Sequence, residues 1–94
     1  MTDTRKYPIP PAMTIKDDGG LALAAIAGGK VVDIRYLSQE DPDLEEGLSE
    51  GGLTYEVALR LWWESAVGRL IVERLQAQGD VRAGVCEKGS FEVL

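Results

Sequence analysis

The side chains that could perform chemistry in this chain are mostly carboxylates. It contains 16 acids and no histidine, so no imidazole can act as a general base or a metal ligand. Its single cysteine, Cys86, cannot form an internal disulfide or a thiolate zinc site. Four serines are present, but none lies in a G-x-S-x-G motif and no histidine could activate one. Because a chain of 94 residues seldom encloses a substrate cleft, we expect a protein that is not an enzyme and needs no cofactor or metal.

The acids are concentrated in residues 39–50. This stretch holds six acids and no base, and the rest of the chain is neutral, so the stretch accounts for the whole net charge of −6. A basic partner protein would complement it, whereas nucleic-acid binders carry basic stripes. The stretch is therefore either a solvated loop or a contact surface for a basic partner. The predicted partner-binding residues are Glu40, Asp41, Asp43, Glu45, Glu46, Glu50 and Trp62.

A calcium loop is a further hypothesis for the same stretch, and its spacing argues against it. Asp41, Asp43 and Glu45 alternate as the first three ligands of an EF-hand do. Glu46 stands where the turn glycine is needed, and Gly52 stands where the bidentate glutamate is needed. No metal site is predicted.

The elements that must position these acids form an α+β fold. Prolines in residues 1–11 predict an extended arm, and residues 12–94 are predicted to form one domain with an acidic loop over 38–52. Within this loop, Asp41-Pro42 predicts a turn of helix at 42–47. A short helix is expected at about 19–28, ended by a glycine pair; a buried strand is the alternative, because Leu21, Leu23 and Ala25 alternate. We expect a small, mostly antiparallel sheet of three to four short strands, packed on one long helix at about 54–78. The predicted strands include Lys30 to Leu37, Val81 to Cys86 and Phe91 to Leu94.

The long helix is predicted to be apolar on two opposite faces. A surface helix needs only one apolar stripe, so the second face requires a cover. We therefore expect a homo-oligomer with Leu61, Val72 and Leu75 at the interface. On this wheel Trp63 lies on the core face, and Trp62 lies near a charged boundary. Both rings are either buried within one chain, or Trp62 anchors a partner at an interface or stacks on a ligand.

One short segment resembles a known kind of protein. Residues 22–32 have the pattern A-L-x-x-I-x-x-G-K-x-V. This resembles the helix–turn–strand opening of some small phage-encoded proteins, including one type of anti-defence protein that sequesters a nucleotide signal. The tryptophan-bearing segment of those proteins is replaced here by residues 33–37, Asp-Ile-Arg-Tyr-Leu, so the likeness assigns no family.

Together these patterns predict a small, acidic, cytoplasmic interaction or regulatory protein. It would bind a partner protein and also associate with itself. We expect no contact with nucleic acid, because nucleic-acid binders carry basic stripes. We expect no contact with a membrane, because no apolar run reaches the ~18 residues that span a bilayer. The alternative is a phage-type anti-defence inhibitor. Such a protein blocks a nucleic-acid-binding complex, as anti-CRISPR proteins and DNA mimics do, or sequesters a nucleotide signal. A third hypothesis is a small-molecule pocket at an oligomer interface, lined by Tyr36 and Trp62 with Arg35 or Arg69.

Overall fold

The computed structural model of this protein describes residues 6–14 and 20–94. They form an α+β fold with a five-stranded antiparallel sheet in the order β1-β5-β4-β2-β3. The strands are β1 (Lys6–Pro8), β2 (Gly20–Ala27), β3 (Lys30–Tyr36), β4 (Asp80–Glu87) and β5 (Ser90–Val93). A 3-10 turn (Pro11–Met13) follows β1, and the helices are α1 (Leu37–Glu40), α2 (Pro42–Ser49), α3 (Tyr55–Glu64) and α4 (Ala66–Gln76).

The predicted short helix at about 19–28 is wrong, because Gly20–Ala27 is the strand β2. The glycine pair after it does not end a helix. Gly28 and Gly29 have φ of 61° and 78°, and together they form the two-residue turn of the β2–β3 hairpin. Residue 19 lies outside the described part of the chain. With β2 a strand, the helical part of the resemblance to phage proteins is lost.

β2 is uniformly apolar because both faces of the sheet are buried there. Its odd-numbered side chains join the helix-side core and its even-numbered side chains join a second core, the inner core. The helix-side core consists of Leu21, Leu23, Ala25, Leu37, Ala58, Leu59, Trp62, Ile71, Val72 and Leu75. The inner core consists of Ile9, Ala22, Ala24, Val31, Ile34, Tyr36, Cys86 and Phe91.

The sheet curls around the inner core. Its two edge strands, β1 and β3, come into contact with each other. The Tyr36 hydroxyl on β3 donates a hydrogen bond to the Met13 carbonyl, 3.1 Å away, and ties the segment after β1 to this core. The predicted arm over 1–11 therefore includes an edge strand, and Ile9 is buried; residues 1–5 lie outside the described ranges.

The predicted single helix at about 54–78 is wrong, because the backbone leaves the helical region at Ser65 (φ −74°, ψ 162°). The Ser65 hydroxyl accepts a hydrogen bond from the Gly68 amide at 2.9 Å and donates one to the Trp62 carbonyl at 2.7 Å. It therefore caps the start of α4 and binds the end of α3. Each of the two helices buries one face, so the two apolar stripes do not run along opposite sides of a single rod.

The sheet has five strands, not the predicted three to four, because β1 and β2 were assigned to an arm and a helix. The predicted acidic loop over 38–52 is largely helical and contains α2. Within the described ranges, no helix has the length and apolar character needed to cross a membrane.

Candidate functional site

Three of the six clustered acids have a role inside the chain. Asp41 caps α2 by accepting a hydrogen bond from the Leu44 amide at 3.5 Å, and Pro42 follows at the first helical position. Glu45 accepts a hydrogen bond from the Ser49 hydroxyl at 3.3 Å. Glu40 lies 3.9 Å from the Arg35 guanidinium. These three carboxylates are half-buried and help to hold α1 and α2 in place.

The other three acids, Asp43, Glu46 and Glu50, are exposed and form an acidic stripe. Asp43 and Glu46 lie in α2 and Glu50 is its C-cap residue, so the i, i+3, i+7 spacing places the three on one side of the helix over about 10 Å. None of the three forms an ion pair within residues 6–14 and 20–94. On the opposite side of α2, Leu44 and Leu48 pack against the helix-side core. The core thus fixes which carboxylates point to solvent.

The burial of the two tryptophans is the reverse of the burial that the sequence predicted. Trp62 is 0% exposed and belongs to the helix-side core, so it is not available to a partner. Its indole N–H has no acceptor among the described residues. Trp63 is only partly buried. The difference follows from the break at Ser65, because α3 turns its Ala58, Leu59 and Trp62 side inward.

Trp63 lies between two shallow grooves that are bordered by charges of both signs. The groove toward β4 has a volume of about 280 Å³ and is lined by Trp63, Leu59, Arg60, Glu64 and Ala83. The groove toward α4 has a volume of about 230 Å³ and is lined by Trp63, Glu64, Arg69, Val72 and Glu73. Both are smaller than the roughly 300–1,000 Å³ of typical small-molecule sites.

Of the three residues predicted for the oligomer interface, two are covered by the chain itself. Val72 is 7% exposed and Leu75 is 0% exposed, and both pack in the helix-side core. Leu61 on α3 is 47% exposed. The exposed apolar side chains of α4 are instead Val67 (47%) and Leu70 (60%), which are not among the predicted interface residues.

Val67 and Leu70 belong to a groove on the outer side of α4, which we call the α4 groove. It has a volume of about 180 Å³ and is also lined by Glu40, Ile71 and Arg74. A helical wheel drawn for α4 alone, starting at its Ser65 cap, shows this apolar side of the helix. A wheel drawn through residues 54–78 does not, because the angular positions of the side chains in α4 shift relative to those in α3 at Ser65.

The hypothetical small-molecule pocket is not assembled in the single chain. Tyr36 is 3% exposed in the inner core, and Trp62 is buried on the other side of the sheet. Within the part of the chain that the structure describes, no group of three or more cysteine, aspartate or glutamate side chains is arranged to hold a metal ion.

Comparison with known proteins adds no functional assignment. No protein-family model matches the chain, and no curated protein matches it. A functional conclusion therefore depends on the surfaces described above.

Proposed function

We propose that this chain is a non-enzymatic interaction protein that binds a partner protein with a basic surface through the acidic stripe. The observation that carries the proposal is that Asp43, Glu46 and Glu50 are exposed on one side of a helix and form no ion pair in the described ranges. Carboxylates held in a row by a packed helix present a fixed negative field, which steers a basic partner toward one orientation.

The packing of α2 supports a contact surface over a merely solvated segment. Leu44, Leu48 and Leu53 pack against the helix-side core, and Leu53 also lies over Gly47. A segment with no task other than solubility would need neither a capped helix nor these anchors. The rigid backbone means that a partner would not have to order the stripe on binding, which reduces the entropic cost of association.

The narrow set of groups that could perform chemistry, mostly carboxylates, supports a binding role over catalysis. The chain has no histidine, and the Ser65 hydroxyl is engaged in the helix junction. The three grooves have volumes of about 180 to 280 Å³, below the usual size of substrate pockets. We also propose a cytoplasmic location, since a chain with one cysteine, the buried Cys86, cannot form an internal disulfide, which fits a reducing compartment.

A matched pair of triple variants tests the proposal. The stripe variant Asp43→Lys/Glu46→Lys/Glu50→Lys and the control variant Glu56→Lys/Glu87→Lys/Glu92→Lys both change exposed acids and bring the net charge of −6 to zero. The probe is a fluorescent lysine-rich peptide, and binding is measured by anisotropy at low and physiological salt. We expect the wild type and the control variant to bind the peptide and the stripe variant to lose binding.

Equal loss in both triple variants would refute the proposal, because it would show that only net charge matters. Displacement of duplex DNA from a nucleic-acid-binding complex separates the anti-defence alternative. A protein that mimics DNA should displace DNA from such a complex. Peptide binding together with failure to displace DNA from such complexes supports a partner-binding role without mimicry.

A further inference from the structure

The groove between Trp63 and α4, which we call the Trp63 groove, is built by the junction of α3 and α4. Trp63 and Val72 both line it, although nine positions separate them along the chain. In one continuous helix, that separation would turn the two side chains to opposite sides, at about 100° per residue. The break at Ser65 brings them to one groove, and the two hydrogen bonds of the Ser65 hydroxyl hold the junction.

The charged side chains that line the Trp63 groove are two acids and one base. Glu64 and Glu73 are exposed carboxylates, and Arg69 is an exposed guanidinium. None of the three forms an ion pair within residues 6–14 and 20–94. The groove therefore carries one excess negative charge, and both carboxylates are available to a cation from outside the chain.

The Trp63 indole gives the groove an aromatic wall. Trp63 packs against the helix-side core and is partly buried, so its ring is held in place while part of it borders the groove. Indole attracts cations more strongly than the other aromatic side chains do, and a planar guanidinium stacks on it. A guanidinium also donates two parallel hydrogen bonds to a carboxylate. The volume of about 230 Å³, below that of small-molecule sites, suits a single side chain.

We propose that the Trp63 groove receives an arginine side chain of the basic partner. The guanidinium stacks on the Trp63 indole and donates hydrogen bonds to Glu64 or Glu73, while Arg69 opposes it as a like charge. This inference rests on the proposed function, because a partner with a basic surface supplies the arginine. It adds selectivity that the acidic stripe lacks, since exposed carboxylates attract lysine and arginine alike through charge.

Two peptides of equal charge test this selectivity. One is the fluorescent lysine-rich peptide, and the other is a copy in which one central lysine is replaced by arginine. We expect the wild type to bind the arginine copy about fivefold more tightly. The preference should disappear in Glu64→Gln/Glu73→Gln. It should persist in Glu56→Gln/Glu87→Gln, which makes the same charge change at exposed acids outside the Trp63 groove.

Removal of the opposing base should have the reverse effect. We expect Arg69→Gln to raise the arginine preference by about threefold, because it removes a like charge from the groove. Arg74→Gln makes the same charge change on α4 outside the Trp63 groove and should leave the preference unchanged.

Tryptophan emission, measured with unlabelled peptides, tests where the arginine binds. The arginine copy should change the emission of Trp63, whereas Trp62, which is 0% exposed, gives a constant background. Equal affinity of the wild type for both peptides, with the acidic stripe still required, would overturn this inference and leave the proposed function standing. Failure of the wild type to bind either peptide would overturn both.

Discussion

Gly68→Ala should show whether the chain really breaks between α3 and α4. In a continuous helix, alanine at an interior position stabilises by about 1 kcal/mol relative to glycine. In the broken arrangement, a Cβ at residue 68 would lie 2.6 Å from the Trp62 carbonyl carbon and closer still to its oxygen. That is far inside a normal van der Waals contact, so the first turn of α4 must move. The two arrangements therefore predict opposite signs for one substitution.

The cost of that movement has two parts. The Ser65 cap on the Gly68 amide would be lost, at about 1 kcal/mol. Trp62 is fully buried, so displacing its backbone would loosen the helix-side core by about 2 kcal/mol or more. After the gain in helix propensity, we expect Gly68→Ala to destabilise the protein by about 2 kcal/mol.

Urea unfolding followed by circular dichroism measures this difference directly. Gly47→Ala is the matched control, a helical glycine in α2 where a new Cβ would meet only the flexible Leu53 side chain, 2.9 Å away. Its change in unfolding free energy should stay within about 1 kcal/mol of the wild type. A Gly68→Ala protein that is more stable than the wild type would mean that α3 and α4 are one helix, and the reasoning would fail.

Three further outcomes follow from local geometry. Ser65→Ala should lower the free energy of unfolding by about 1 kcal/mol in the same urea assay, whereas Ser65→Thr, which keeps both an acceptor for the Gly68 amide and a donor for the Trp62 carbonyl, should remain near the wild-type value. Lys88→Asn should raise the free energy of unfolding by about 0.5 kcal/mol, because residue 88 has a φ of 52° in the β4–β5 turn and asparagine tolerates that conformation better than lysine. A lower free energy of unfolding would contradict the assigned turn. In Trp63→Phe the remaining indole is Trp62, which is 0% exposed, so its fluorescence should be blue-shifted and weakly quenched by acrylamide; strong quenching would place Trp62 at the surface.

The elements that the sequence predicts well are those whose signals are local. Alternating apolar residues identified β3 and both strands of the C-terminal hairpin, with boundaries within one or two residues. The Asp41-Pro42 pair marked the start of α2, because a capping carboxylate followed by proline satisfies the first turn of a helix. In each case the deciding residues are adjacent along the chain.

β2 was missed because its environment is not local. An alanine- and leucine-rich run fits a short helix by propensity, and only burial on both faces of a sheet makes it a strand. The Gly28-Gly29 pair gave a usable signal, since two glycines between apolar runs are typical of a tight hairpin. Because the pair is also typical of a helix end, the sequence predicted a helix in place of β2 and one strand too few in the sheet.

The break at Ser65 had the largest consequence for the candidate surfaces, because it resets the phase of the helix. Along one continuous helix, Leu70 falls on the same side as Leu59 and is predicted to lie in the core. In the structure Leu70 is 60% exposed, and Ile71 is buried in its place. A single capped junction therefore moves a leucine to the surface beside Val67. Two opposed apolar stripes on one long predicted helix can indicate a hidden break as well as a partner. Here the break at Ser65 accounts for both stripes, and it leaves Val67 and Leu70 exposed on the outer side of α4.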